Sequence, residues 1–249
     1  SYNYYYYFSC LYSCLLANQS RSTPFIQKCK PDDSKCLKET TKNVIPIFAN
    51  GIPELGVQKL DPFTMKSLDA STPGLKLLLW DITGTGLKDC TLPPIIKPAE
   101  NYNIFLHFRR DASKSKLTVK LQCSVEFKGK YEMKGRLLVL PIEGKGDARV
   151  VLIIYVDVDV GDHIGRDGEK HWTIKNWKHT YDLKDKSTIE LENLFNGNEV
   201  LGRAARELIA SSSNEIVKEV GPPIVKAIIA KIIENIENFF ENVPASELE

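Results

Sequence analysis

Between residues 116 and 128, Leu117, Val119, Leu121, Cys123, Val125 and Phe127 alternate with Lys116, Thr118, Lys120, Gln122, Ser124, Glu126 and Lys128. Six apolar positions in strict period two predict a long strand with one face in a core and the other in water. Tyr102, Ile104, Leu106 and Phe108 repeat the pattern, with Phe105 breaking the polar side, and Val156, Val158 and Val160 alternate with Asp157 and Asp159. Further strands are predicted at 75–84, 135–142, 171–181 and 188–191. Short turns containing Gly or Lys join most of them, which predicts an antiparallel meander. Ahead of the strands a helix is predicted over 34–50. Asp33 or Ser34 caps it, Leu37, Val44 and Phe48 form its apolar side, and Asn50-Gly51 ends it. Pro53, Pro62 and Pro73 then punctuate an extended connection.

After Asn196-Gly197 the period changes. Val200, Leu201, Ala204, Leu208, Ile209, Ile216, Val217 and Val220 are followed, beyond Gly221-Pro222-Pro223, by a further apolar stripe from Val225 to Val243. Spacings of three and four predict an amphipathic helix with a broad apolar face. Read as one helix over 198–242, it would be roughly 65 Å long and kinked at the two prolines, which lack the N–H a helix needs. A helix so apolar needs a long partner, and the meander is the available one. The predicted fold class is therefore α+β: a strongly curved antiparallel sheet wrapped around one long C-terminal helix, with a short N-terminal helix.

Charge adds little. Among 249 residues, 33 basic and 32 acidic side chains leave a net charge of +1, which gives no support to nucleic-acid binding. Lys114, Lys116, Lys120, Lys128, Lys130 and Lys134 alternate with apolar residues. They read as a solvated outer sheet face, with docking on anionic lipid as the alternative. No run of 18 apolar residues marks a transmembrane helix, so no stable membrane insertion is expected.

The first 28 residues differ from the rest. A tyrosine run leads into Cys10-Leu11-Tyr12-Ser13-Cys14-Leu15-Leu16-Ala17 and then polar residues. Residues 1–28 read as a signal-peptide remnant or a disordered tail, leaving 29–249 as a single domain. Cys29 and Cys36 bracket a short polar loop that a disulfide would close in an oxidising compartment; no further thiol or imidazole lies near enough in sequence for a metal site. Cys90 and Cys123 are either buried thiols or a second bridge, and buried thiols are the preferred reading.

Catalytic signatures are missing: there is no nucleophile elbow, zinc-binding helix or phosphate loop. The four histidines are scattered, and Asp157 with Asp159 reads as a solvated pair. No enzyme, metal or cofactor is expected. Trp80, Phe108, Phe127 and Trp172, with the helix stripe, would bound an apolar pocket or simply fill a core. Periodicity does not separate the two.

Several blocks resemble the takeout and juvenile-hormone-binding family of secreted insect proteins: Cys29-Lys30-Pro31-Asp32-Asp33-Ser34-Lys35-Cys36, Gly51-Ile52-Pro53 with Asp61-Pro62, Gly129-Lys130-Tyr131, Gly135-Arg136-Leu137-Leu138-Val139-Leu140-Pro141-Ile142-Glu143-Gly144-Lys145-Gly146, Leu194-Phe195-Asn196-Gly197, and Val243-Pro244-Ala245-Ser246-Glu247-Leu248. The resemblance implies a tubular lipid-binding fold and a secreted carrier in extracellular fluid. It also implies an internal tunnel for a juvenile-hormone-like terpenoid, fatty-acid derivative or other long lipid. A carotenoid carrier of the same family is one alternative. Another is a signalling partner that docks through Val151, Ile153 and Tyr155, with only structural lipid. The inward-facing positions expected to line the tunnel are Trp80, Ile104, Leu106 and Phe108; Leu121, Val125, Phe127, Leu138 and Leu140; Ile154, Val156, Trp172 and Phe195; and Ile228, Ile232 and Phe239.

Overall fold

The structure is a computed structural model of the chain and describes residues 23–30, 33–92, 108–111, 116–182 and 188–248. Residues 1–22, which hold most of the segment read as a signal remnant, lie outside the described residues, as do Ile104 and Leu106. Of Phe108 only the strand position is described.

Helix α1 (Ser34–Asn50) begins where the Asp33 carboxylate accepts the Cys36 N–H at 2.9 Å, and ends at Gly51, whose φ of 88° favours glycine. Seven strands follow among the described residues: β1 (Phe63–Asp69), β2 (Leu75–Thr85), β3 (Phe108–Asp111), β4 (Lys116–Leu137), β5 (Leu140–Ile164), β6 (Lys170–Asp182) and β7 (Thr188–Leu191). They form one antiparallel sheet in the order β1-β2-β4-β5-β6, with β3 added to β4 and β7 to β5. Its centre is the β4–β5 hairpin, paired without interruption from Leu117–Val160 to Leu137–Leu140. Apolar residues of one parity on this ladder, among them Val125, Phe127, Leu152, Ile154 and Val156, are buried, as the alternation requires.

Four expectations need correction. The connection 53–73 contains a strand, β1, whose Phe63 is buried against β2. The segment 135–142 is not one strand: the chain reverses at Leu138-Val139 between β4 and β5. The C-terminal helix is two, α2 (Glu199–Ser211) and α3 (Ser213–Asn242), and the break falls at Ser212, not at Gly221-Pro222-Pro223. Serines compete with helical backbone bonding, and the Ser211 hydroxyl donates to the Leu208 carbonyl at 3.1 Å where the helix stops. Pro222 and Pro223 instead lie inside α3, flanked by buried Val217, Gly221 and Val225, and proline's fixed φ is helical. Finally, Cys90 and Cys123 are joined in a disulfide, as are Cys29 and Cys36. The physical cause is a two-way backbone pairing of Thr91 with Gln122, at 2.8 Å in each direction, which sets the two cysteines side by side.

At 30 residues α3 is roughly 45 Å long. Its apolar face meets residues from β1, β2, β4, β5 and β7 around one cavity, so the sheet curves about the helix. Polar side chains pin α3 at its far end. Asn235, 1% exposed, accepts the Gln58 N–H at 2.6 Å and donates to the Lys231 carbonyl at 2.8 Å. Buried Asp61 accepts the N–H groups of Gly86 and Lys88 at 3.0 and 2.9 Å, fixing the turn after β2.

Candidate ligand cavities

Two apolar cavities lie between sheet and helix. The smaller, about 100 Å3, is bounded by Phe63 and Met65 of β1, Phe127, Tyr131 and Met133 of β4, and α3 from Ile216 to Ile228. The larger, about 240 Å3, is bounded by Leu37, Val44 and Phe48 of α1, Val156, Val158 and Val160 of β5, Trp172 of β6, and Ile232, Ile236 and Phe239 of α3. The Cys90–Cys123 bridge forms part of its wall.

The cavities follow one another along the same elements. On β4, Phe127 faces the smaller and Cys123 the larger; on β5, Leu152 faces the smaller and Val156 the larger; on α3, Ile228 and Ile232 divide the same way. Between them stand Val125, Ile154 and Ile229, each with no exposed surface. All three belong to the packed core and border neither cavity.

Of the expected lining residues, Phe127 and Ile228 border the smaller cavity, and Leu121, Val156, Trp172, Ile232 and Phe239 border the larger. Val125 and Ile154 belong to that packed core. Trp80 is on the opposite face of the sheet, paired with Lys130, and the Lys145 ammonium lies 5.7 Å from its ring centre. Inward Leu77 and Leu79 set its outward side, and a register shift between Trp80 and Thr83 returns Ile82 to the inside. Leu138, Leu140 and Phe195 are half-buried and border neither cavity. The sequence reading missed the contributions of β1 and α1, and also those of β7 (Ile189, Leu191), Ile209 of α2 and the inward residues of β2. For α1 the signal was its apolar side, Leu37, Val44 and Phe48, which faces the larger cavity.

Two polar side chains matter at the edges. The fully buried Tyr131 hydroxyl donates to the Glu192 carbonyl at 2.6 Å. Burial first, and then the Glu192 charge, push its phenol up to about 12. Tyr131→Phe is expected to lower stability by about 1 kcal/mol, the net value of one such bond, read from denaturant midpoints. The unfolded phenol ionises near 10 while the folded one stays neutral, so tyrosine-dependent stability is full below about pH 10 and is lost as pH rises toward 12. The variant should lose that part of the alkaline slope; an unchanged slope would show that Tyr131 does not carry it.

Beside the larger cavity, His171 is 2% exposed. Its Nδ1 lies 2.7 Å from the Phe240 carbonyl oxygen and its Nε2 lies 2.8 Å from an Asp167 carboxylate oxygen. Both partners only accept, so the ring satisfies both when it carries two protons. Burial opposes that charge, but the Phe240 carbonyl and the Asp167 carboxylate outweigh it and raise the imidazole above its ordinary value. Phe240 packs edge-on against Trp172 at 5.6 Å between centroids, so His171 ties the end of α3 to the cavity wall.

The model of the family described as haemolymph juvenile hormone binding protein matches residues 8–248. The chain belongs to that family. As a member of the juvenile hormone binding protein family it is similar to the circadian clock-controlled protein daywake of Drosophila melanogaster, 26% identical over 233 residues that span 89% of this chain and 86% of that protein. Daywake of Drosophila yakuba is 24% identical over 242 residues, 93% of this chain and 89% of that protein. The crystal structure of Epiphyas postvittana Takeout 1 superposes with a TM-score of 0.77 at 28% identity, over 90% of this chain and 99% of that one. The takeout architecture is thus shared over nearly the whole chain.

Proposed function

We propose that this protein is a secreted carrier that holds an elongated hydrophobic molecule, such as a terpenoid or a fatty-acid derivative, in the cavities between sheet and α3. The observation that carries the reading is the larger cavity, about 240 Å3 with an almost wholly apolar wall. Each 200 Å2 of ligand surface taken out of water there contributes about 5 kcal/mol. Part of that is offset by the cost of ordering ligand and wall. The family, haemolymph juvenile hormone binding proteins, supports the same reading, and two disulfides suit an oxidising extracellular compartment. The packed residues between the cavities, Val125, Ile154 and Ile229, favour cargo of one cavity's length over an extended carotenoid, which would need them to move apart.

Native mass spectrometry of the secreted protein, followed by solvent extraction, tests the reading. A stoichiometric apolar molecule supports it. Protein that is empty and stays empty with terpenoids and fatty acids sinks it. Ile236→Trp, which fills the larger cavity, is expected to weaken binding of the extracted molecule at least about tenfold while the thermal midpoint holds. Equal affinity would move the ligand out of this cavity.

A further inference from the structure

The tip of the β4–β5 hairpin is apolar where its geometry calls for glycine or asparagine. Leu137 and Leu140 are the last paired residues, so Leu138 and Val139 form a two-residue turn, with Leu138 at φ 54°. A Cβ is crowded in that left-handed region, and hairpin turns of this length ordinarily place Gly, Asn or Asp there. Val139 is 84% exposed, the most exposed large hydrophobic side chain among the described residues, and Pro141 beside it is exposed too. The turn at the other end of β5 provides a control. Its turn is Gly165-Arg166-Asp167-Gly168, with glycine at the positive φ of 81°, although Ile164 at the strand end before it is 69% exposed. The chain uses ordinary turn chemistry there, so an apolar tip is not a requirement of long hairpins.

The surroundings define the partner. A two-residue point is far smaller than the ~800 Å2 that each side of a stable protein complex contributes. Exposed cations flank it. Arg136 has no ion pair among the described residues, whereas Lys134 is paired with Glu143 at 3.8 Å, and the Glu219 carboxylate lies on the helix side of the tip. An apolar wedge with an unpaired arginine beside it fits a bilayer interface, with the wedge among acyl chains and the guanidinium among anionic headgroups. The tip also adjoins ligand space. Leu137 and Met133 border the smaller cavity, and the Leu138 N–H donates to the Glu219 carboxylate of α3 at 3.1 Å.

We propose that the Leu138-Val139 tip is a membrane-docking wedge for anionic lipid surfaces, at which cargo enters or leaves. Only the exchange of cargo rests on the carrier reading; docking does not. Flotation with vesicles of phosphatidylcholine alone, or of equal parts phosphatidylcholine and phosphatidylserine, tests it with the full chain. The parent should float with the anionic vesicles, and Val139→Asp should bind them about tenfold more weakly. Val139→Trp should float at least as well and shift its emission to the blue. Both variants sit on an exposed side chain, so thermal midpoints should match the parent. Parent and Val139→Asp floating alike, or a parent that never floats, overturns the proposal. So does a dimer that Val139→Asp abolishes without any vesicle binding, which would assign the tip to a second copy of the chain. Uptake of a fluorescent fatty acid in solution separates the two readings. Docking without uptake removes the carrier and keeps the wedge, whereas uptake without docking does the reverse.

Discussion

Replacing Cys90 and Cys123 together by alanine is expected to lower the unfolding free energy by about 4 kcal/mol. The bridge joins residues 33 apart, whereas Cys29 and Cys36 are 7 apart. In the chain-entropy account the longer loop restrains the unfolded ensemble more, so opening the shorter one should cost about 2.5 kcal/mol. Burial adds to the difference, because Cys123 is 1% exposed and both Cys90 and Cys123 face the larger cavity. Guanidinium titration of the two double variants without reductant measures both. A loss under about 1 kcal/mol for the Cys90 and Cys123 pair would mean that the Thr91–Gln122 pairing holds this wall unaided.

His171→Ala is expected to cost about 3 kcal/mol below pH 6, the value of a buried charged group that loses two hydrogen bonds. Most of that belongs to the Phe240 carbonyl, since Asp167 is half exposed and its attraction is screened. The cation also sits at the C-terminal end of α3, where the helix dipole favours positive charge. Asp167 and Glu169 are the charged groups that hold its proton, and the ring of His163 lies 6.0 Å away. Folded His171 keeps its proton more tightly than the unfolded side chain, which titrates near 6.5. Its contribution is therefore complete below about pH 6.5 and falls as pH rises through the raised folded value. Thermal midpoints of the parent should drop over that interval, and those of His171→Ala should not. A parent curve that is flat there would assign the ring a neutral form.

Much of this architecture can be read from residue order. Period-two runs placed β4 and the Val156–Val160 stretch of β5, and the cap at Asp33 or Ser34 with the stop at Asn50-Gly51 bounded α1, because each signal is local. What escaped depends on distant partners. Pro62 and Pro73 flank β1, and its inward positions shift parity between Met65 and Leu68, so no alternation betrays it. Two cysteines 33 residues apart become neighbours only through Thr91 and Gln122. Trp80 faces outward by alternation with inward Leu77 and Leu79, and the bulge beyond it returns Ile82, of the same parity, to the inside. The cavities expose the deepest limit. Val125 and Val156 share a face and a residue type, yet one borders neither cavity and the other borders the larger. Alternation tells which side of a strand is buried, and packing against α3 decides whether that side is occupied.

The sheet ends at β1 on one side and β6 on the other, and among the described residues these two do not pair. A closed barrel has its girth set by strand number and stagger, and can widen only by breaking a ladder. An open wall has no such constraint. The β4–β5 pairing does not fix the spacing of β1 and β6, so the side chains of α3 between sheet and helix set the width of the cavities. Single changes along that helix, at Ile224 or Ile236 for example, are then a direct route by which relatives with the same sheet could come to enclose cavities of different width.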